Sequence, residues 1–246
     1  MKKKDRQELV EDAWRFENAE KIVADENIDM LAILNEQKEC ECVCDGLWIW
    51  CAKDILRRNN IPYEDFASAL FDCLTKGREK FNNIIIVGPA GCGKTFLLKP
   101  LFTMIPNVFA SPAGCTFGWM GAENANLLLL NDLRWKPRGP LTGGNIDWGD
   151  FLNLLEGMQV TLPAAMNVQD THVVIKKKIP ILATSINDVT YWVKDVSEPQ
   201  TKRHEDENDM MSERWKSFTV RDRINKEERK NPPACFTCFS KFVLQV

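Results

Sequence analysis

The chain has 246 residues, of which 44% are hydrophobic and 27% are charged, and its formal net charge is −3. This balance is ordinary for a globular protein and excludes a strongly basic nucleic-acid-binding chain, so any contact with DNA must come from local patches. No apolar stretch approaches the ~20 residues that cross a bilayer, so we expect no membrane segment. The nine cysteines are expected to be reduced thiols of an intracellular protein, because a chain of this length can bury its own core without disulfides.

Helical patterns precede the main domain. Residues 47–56 read as an amphipathic helix that stops before Pro62. Apolar residues then recur at helical spacing from Phe66 to Leu74, and Gly77 is suited to cap that helix. We therefore expect an N-terminal helical region over residues 1–76, with oligomerisation as one role for it.

Short apolar runs predict the strands of the main domain, at residues 84–87, 127–130, 173–175 and 179–183. Such runs suit strands that are covered on both faces of a parallel sheet. Because they alternate with helical segments, residues 77–220 are expected to form an α/β three-layer fold with a central, mostly parallel sheet. Residues 193–209 are polar and acidic and predict a surface loop. Residues 221–246 read as a charged C-terminal tail.

A complete phosphate-binding motif follows the first predicted strand. The sequence G-x-x-x-x-G-K-T is formed by Gly88, Pro89, Ala90, Gly91, Cys92, Gly93, Lys94 and Thr95. Its glycines let the backbone turn around phosphate oxygens, and a following helix presents its positive N-terminal end to the anion. Lys94 is expected to pair with the β- and γ-phosphates of ATP, and Thr95 to place its hydroxyl on Mg²⁺. The flanking strand and helix patterns supply the context that this motif requires.

A second acidic element ends the apolar run at residues 127–130, where Asn131 and Asp132 follow. A carboxylate at the end of such a strand binds Mg²⁺ and orients the attacking water. Asp132 is therefore predicted as a catalytic and metal-binding group, with Asn131 beside the nucleotide. Two arrangements stay open: Asn131 lies near the metal and Asp132 is the base, or Asp132 holds the metal shell and the base lies elsewhere.

The order of the later motifs indicates which class of nucleotide-binding protein the chain resembles. Residues 157–163 read Gly-Met-Gln-Val-Thr-Leu-Pro, and residues 172–188 carry His-Val-Val-Ile-Lys-Lys-Lys followed by Ile-Pro-Ile-Leu-Ala-Thr-Ser-Ile-Asn-Asp. This series resembles the B′ and C motifs of superfamily-3 helicases, and residues 47–218 most resemble the helicase domains of parvovirus-type non-structural replication proteins. The resemblance implies an AAA+-like P-loop ATPase that replicates DNA as a ring homo-oligomer, expected to be a hexamer. It also implies single-stranded DNA in a central channel and a location in the nucleus of the host cell.

The resemblance further implies a DNA-binding hairpin over residues 163–171. Its tip has no lysine, in contrast to the family. The candidates for phosphate contacts are therefore Lys176, Lys177 and Lys178 at the hairpin base, whose alternative is an ordinary solvated turn.

Two catalytic roles are also implied by the resemblance. Asn187 is the candidate sensor of the γ-phosphate, although it stands one residue beyond the family's asparagine, and Ser185 or Thr184 are the alternatives. Arg214 is the candidate arginine finger that reaches the neighbouring subunit's nucleotide. Its alternative is a surface arginine that pairs with a nearby carboxylate.

The cysteine pattern leaves open whether the chain also binds zinc. Cys235 and Cys238 form a lone C-x-x-C, whereas a structural zinc site needs four ligands. Cys40, Cys42 and Cys44 can supply the others only if the two ends of the chain meet. The alternative is a set of buried or exposed thiols.

Three functions compete on these observations. The first is the ATP-driven motor. The second is a nucleotide-binding scaffold for DNA or a partner that does not hydrolyse ATP, since Asn131 is neutral, Asn187 is displaced and the hairpin lacks lysine. The third is a small-molecule kinase, which would need an arginine-rich lid that the sequence does not display.

Overall fold

The computed structural model describes residues 9–10, 13, 28–110, 119–133, 146–163, 172–190, 198–224 and 232–246. The expected DNA-binding tip of the hairpin, residues 164–171, lies outside them. Within these ranges, no helix is both long enough and apolar enough to cross a membrane.

Three helices open the described part of the chain: α1 (Met30–Lys38), α2 (Leu47–Arg58) and α3 (Tyr63–Lys76). Helix α1 begins after Asp29, whose carboxylate accepts hydrogen bonds from the backbone N–H groups of Leu31 at 2.9 Å and Ala32 at 3.2 Å. Such a cap satisfies donors that the first helical turn leaves unpaired. Helix α3 ends at Gly77, as its sequence predicts. The helices expected at residues 47–56 and 66–74 are confirmed. Most of residues 1–27, which were also expected to be helical, lie outside the described residues.

The remaining elements alternate between strand and helix. In chain order they are β1 (Asn83–Val87), α4 (Lys94–Leu98), α5 (Leu101–Met104), β2 (Val108–Ala110), β3 (Leu127–Leu130), α6 (Trp148–Leu155), β4 (Val160–Pro163), β5 (His172–Ile175), β6 (Ile181–Ser185), α7 (Glu198–Ser212), β7 (Trp215–Thr219) and α8 (Phe236–Leu244). A short 3₁₀ turn at Ala122–Asn124 precedes β3.

Five strands form one parallel sheet in the order β2-β3-β6-β1-β7. Strand β6 therefore lies between β1 and β3, and the carboxyl ends of these three strands meet at one edge. Ile85 pairs with Ala183 on β6, and Leu129 pairs with Leu182. This α/β fold with a parallel sheet is the fold class that the sequence predicts.

Two apolar layers cover the sheet, one on each face. Ile84 and Ile86 belong to the layer that contains helices α1, α2, α3 and α8. Strands β4 and β5 pair with each other in an antiparallel hairpin. Ile85 and Val87 belong to the opposite layer, which contains α6 and this β4–β5 hairpin. Alternate residues of a strand point to opposite faces, so a wholly apolar strand is required here. Each buried isoleucine or valine contributes about 1.5–3 kcal/mol.

The C-terminal segment differs from the charged tail that the sequence suggests. Helix α8 buries Phe239 and Phe242 completely. Both rings pack edge-to-face on Trp48 of α2, with ring centroids 5.6 and 5.7 Å apart. The aromatic residues of this segment therefore complete the helical layer, despite the charged residues that precede them in the chain.

Helix α7 occupies residues for which the sequence predicts a polar loop. Low hydrophobicity alone does not exclude a helix, because Glu, Gln, Lys and Met all have high helix propensity. These residues are frequent between 198 and 212.

Candidate functional site

The phosphate-binding motif of residues 88–95, here called the P-loop, follows β1 and runs into the start of α4. It holds the side chain of Lys94 over its own backbone. The Lys94 ammonium donates hydrogen bonds to the carbonyl oxygens of Gly88 at 2.5 Å and Pro89 at 2.8 Å. The half-buried charge is therefore fixed at the loop. A fixed cation beside backbone N–H groups is suited to bind a phosphate.

Helix α2 supports the P-loop from the side of the helical layer. Gly93 adopts a φ of +96°, and a Cβ added there would lie 2.7 Å from the Cδ1 atom of Ile55. Only glycine meets both requirements without strain. The helix that follows has only five residues, Lys94–Leu98. A phosphate at this position would consequently be held more by the loop and by Lys94 than by the dipole of a long helix.

The P-loop faces the ends of β3 and β6 across a cleft of about 330 Å³. This volume is in the range of small-ligand sites. The cleft is lined by residues 90–96 together with Asn131, Asp132, Thr184 and Ile186. The Thr95 hydroxyl donates to the Asn131 Oδ1 atom at 3.4 Å, which joins the P-loop to the end of β3. The predicted residues Lys94, Thr95, Asn131 and Asp132 thus share one cleft.

Thr184, near the end of β6, fixes the residues that end β3. Its side chain is only 2% exposed. The Thr184 hydroxyl donates to the Asn131 Oδ1 atom at 2.8 Å and accepts from the Asp132 backbone N–H at 2.9 Å. Asp132 adopts a φ of +56°, which is uncommon for a residue with a side chain. The sequence suggested Thr184 only as a substitute for Asn187.

Asn187 lies beyond β6 and is exposed. It does not belong to the residues that line the cleft, whereas Thr184 and Ile186 do. Ser185 is turned elsewhere, because its hydroxyl lies 2.9 Å from the carbonyl oxygen of Leu133 and 2.5 Å from that of Asn187. Of the three sensor candidates, Thr184 is therefore the one that faces the P-loop.

Arg214 is buried, with 5% of its surface exposed. Its guanidinium forms an ion pair with Glu156 at 2.6 Å and donates to the carbonyl oxygens of Leu152 at 3.2 Å and of Met210. A guanidinium bonded in this way inside its own chain does not project towards a neighbouring subunit. In this structure Arg214 makes structural contacts inside its own chain. Its role as an arginine finger stays a prediction.

The lysines at the hairpin base have different environments. Lys176 and Lys178 are exposed, and Lys178 lies 3.8 Å from Glu79. The backbone carbonyl of Lys177 accepts a hydrogen bond from Arg78 at 2.8 Å. Their contact with DNA stays a prediction.

Arg78 is a buried cation that sequence reasoning missed. It also donates to the carbonyl oxygens of Leu154 and Met158, both at 2.8 Å, and of Ile175 at 3.2 Å. Burial lowers the pKa of Arg78 to about 10, so the guanidinium remains charged at neutral pH. Arg78 thereby joins the end of α6 to the base of the β4–β5 hairpin.

Two segments that are distant in the sequence, one before α2 and one at the start of α8, meet at a cluster of cysteines. The sulfur atoms of Cys42, Cys44, Cys235 and Cys238 all lie within 4.8 Å of one another. Backbone hydrogen bonds at Cys44 and Gly46 lower the pKa of Cys42 to about 6. The condition that the sequence set for a four-cysteine site is therefore met, without Cys40.

Comparison with known proteins gives only a distant likeness. No protein-family model matches the chain, and no curated protein matches it significantly. Among solved structures, the chain is similar to the apo A-form structure of the NrS-1 C-terminal region, with a TM-score of 0.46 and 14% sequence identity. The match covers 78% of this chain and 44% of that chain, so this chain spans less than half of that protein's length. A similarity of this size identifies no function.

Proposed function

We propose that the chain is a P-loop ATPase that binds Mg²⁺ and ATP in the cleft and drives a superfamily-3-type DNA helicase. The observation that carries this proposal is the convergence of a complete P-loop with oxygen-bearing side chains at the ends of two neighbouring parallel strands. In open parallel sheets, ligands bind outside the carboxyl ends of the strands.

The donor set of the cleft fits Mg²⁺, which prefers oxygen ligands. The Thr95 Oγ1 and Asn131 Oδ1 atoms are 3.4 Å apart, so both can contact one ion or its water shell. A bound Mg²⁺ supplies charge neutralisation at the β- and γ-phosphates. Lys94 adds a second positive charge at the phosphates. Asp132 is the carboxylate of the cleft that would accept a proton from the attacking water.

The motor part of the proposal rests on the motif order and on the exposed lysines at the hairpin base. It requires a ring homo-oligomer, expected to be a hexamer, that encloses single-stranded DNA. Light scattering of the chain with a non-hydrolysable ATP analogue and single-stranded DNA checks this assembly. A hexameric mass is expected, and a chain that stays monomeric under every condition contradicts the ring.

A second candidate function is a nucleotide-binding scaffold that does not hydrolyse ATP. Three observations favour it: the neutral Asn131 occupies the place beside Thr95, Asn187 is exposed outside the cleft, and Arg214 is bonded inside its own chain. A protein with these features can bind the phosphates while lacking groups that stabilise the transition state.

Phosphate release from ATP separates the two functions. Wild type, Lys94→Ala and Lys99→Ala are compared with and without single-stranded DNA. Lys99 is the matched control, because it is an exposed lysine of the same segment that does not line the cleft. The motor predicts turnover by wild type and Lys99→Ala, acceleration by DNA, and a loss of roughly 100-fold or more in Lys94→Ala. ATP binding without turnover in wild type supports the scaffold instead.

A further inference from the structure

The cysteine cluster has the dimensions of a tetrathiolate metal site. The Cys42 sulfur lies 3.8 Å from that of Cys44, 3.7 Å from that of Cys235 and 3.4 Å from that of Cys238. The sulfurs of Cys44 and Cys238 are 3.5 Å apart. Zinc–sulfur bonds of about 2.3 Å in a tetrahedron separate the sulfurs by about 3.8 Å. The four atoms therefore lie close to the positions that one central ion requires.

Ordinary burial of thiols does not explain this arrangement. Cys51, Cys73 and Cys92 are also buried, yet none of them belongs to a group of metal-ligand side chains among the described residues. Two disulfides would not explain it either, since a disulfide brings sulfurs together only in pairs, at about 2.05 Å. Here every sulfur of one segment is close to both sulfurs of the other.

The surrounding backbone is oriented towards the sulfurs. The N–H of Gly46 donates to the Cys42 sulfur and the N–H of Trp48 donates to the Cys44 sulfur, each at 3.4 Å. Such bonds stabilise negative charge on a thiolate and fix its direction, as the outer shell of a metal site does. Asp45 and Gly46, at φ +49° and +77°, make the turn that aims these groups.

The two segments are also held together beside the cluster. The Thr237 hydroxyl is within 3.2 Å of the carbonyl oxygens of Cys40 and Glu41. It thereby ties the start of α8 to the chain just before Cys42. The two pairs of ligands are far apart in the sequence, since Cys235 lies 193 positions after Cys42.

We propose that Cys42, Cys44, Cys235 and Cys238 bind one structural Zn²⁺ ion that fastens α8 to the start of α2. The ion has four protein ligands and no open position, which is the arrangement of a structural and not of a catalytic zinc. Tetrahedral sulfur sites select zinc or iron, and zinc is the metal assigned to this site. Binding converts the thiols to thiolates and releases their protons.

Metal analysis of the purified full chain tests the proposal. Inductively coupled plasma mass spectrometry is expected to find about one zinc ion per chain in wild type and in Cys40→Ser. Cys40 is the matched control, because it lies two residues from Cys42 but is exposed and outside the cluster. The double variant Cys235→Ser/Cys238→Ser keeps only two of the four ligands, so its zinc content is expected to fall close to zero.

A measurement on wild type keeps the test independent of how the variant folds. Metal-free protein that is reconstituted with Co²⁺ is expected to show thiolate-to-cobalt charge transfer and the strong visible bands of a tetrahedral site. Iron in place of zinc, cysteines paired in disulfides, or the absence of both zinc and cobalt binding overturns the proposal. Equal loss of zinc in Cys40→Ser overturns the assignment of ligands.

The zinc site does not depend on the proposed ATPase activity. Lys94→Ala is expected to retain zinc, because Lys94 lies in the P-loop and belongs to a different cluster of polar groups. A chain that binds zinc but not ATP would therefore support the zinc site and contradict the proposed ATPase.

Discussion

At the scale of single residues, the hydroxyl of Thr184 connects two residues of the cleft. It bonds to the side chain of Asn131 and to the backbone of Asp132 at once. Asn131 in turn accepts a bond from Thr95 of the P-loop. One buried hydroxyl on β6 therefore sets the position of the groups that would surround the metal, and it does so from a neighbouring strand.

Thr184→Val is expected to reduce Mg²⁺-dependent ATP turnover by roughly 10- to 100-fold while the fold is retained. Valine keeps the shape of threonine but removes the hydroxyl that donates to the Asn131 oxygen and accepts from the Asp132 N–H. Turnover is measured over a series of Mg²⁺ concentrations, with circular dichroism as the check on folding.

Thr184→Ser is the control for that experiment, because it restores the hydroxyl and removes only a methyl group. Its turnover is expected to stay near that of wild type. If the valine variant turns over as fast as wild type, or if the serine variant loses as much, the Thr184 hydroxyl does not organise the cleft.

At the scale of elements, Arg78 connects parts of the fold that the sheet does not connect. It is fully buried between the end of α6 and the turn after β5, and its bonds go to four backbone carbonyl oxygens. A planar guanidinium has five donors and suits such a set, whereas lysine does not. The base of the hairpin is thus held by a side chain that precedes β1.

Arg78→Leu is expected to lower the free energy of unfolding by about 3–5 kcal/mol, since the carbonyl oxygens lose their buried charged donor. Arg78→Lys is expected to fall between leucine and wild type, because it keeps the charge but not the fork of donors. Urea unfolding followed by tryptophan fluorescence measures both variants.

The matched control is Lys178→Ala, which removes an exposed cation from the same turn. Its ion pair with Glu79 is long and solvated, so the expected change is within about 0.5 kcal/mol. An Arg78→Leu protein as stable as Lys178→Ala would show that the buried bonds of Arg78 contribute nothing.

The sequence predicts the elements of this fold where the signal is local. The apolar run at β3 gives Leu127–Leu130 without error, and the strand–loop–helix context places the P-loop correctly. Both follow from patterns within a few residues. Helix α7 was missed because its composition is polar, and α8 because the charged segment before it suggested a tail.

The candidate site is predictable only in part, for the same physical reason. Lys94, Thr95 and Asp132 follow from motifs, whose spacing is visible in the chain. The role of Thr184 depends on which strand lies beside β3, and that of Arg78 on carbonyl oxygens at least 76 positions away. No local pattern encodes such contacts.

At the scale of the whole molecule, helices α2 and α8 and the P-loop share one core. Trp48 stacks on Phe96 of α4 with ring centroids 5.6 Å apart, and it also contacts Phe239 of α8 at 5.6 Å. The backbone N–H of the same tryptophan donates to the Cys44 sulfur. A single residue, Trp48, therefore contacts both the proposed zinc site and the helix that begins at Lys94.

Removal of zinc by a strong chelator is expected to lower the Tm of the full chain by more than about 5 °C and to weaken ATP binding. The physical reason is that α8 is no longer linked to the start of α2 by the ion, which weakens the packing of α8 against Trp48. Differential scanning calorimetry and nucleotide titration of the same sample measure the two effects. An unchanged Tm after verified loss of zinc would contradict a structural role for the ion.

The most direct test of the central claim is isothermal titration of Mg²⁺–ATP into wild type, Lys94→Ala and Lys99→Ala. The cleft described above predicts one nucleotide site in wild type and in Lys99→Ala. It predicts a loss of affinity of roughly 100-fold or more in Lys94→Ala, about 2.7 kcal/mol, because a fixed cation at the phosphates is removed. Wild type that binds no nucleotide, or Lys94→Ala that binds as tightly as wild type, would contradict the assignment of this cleft.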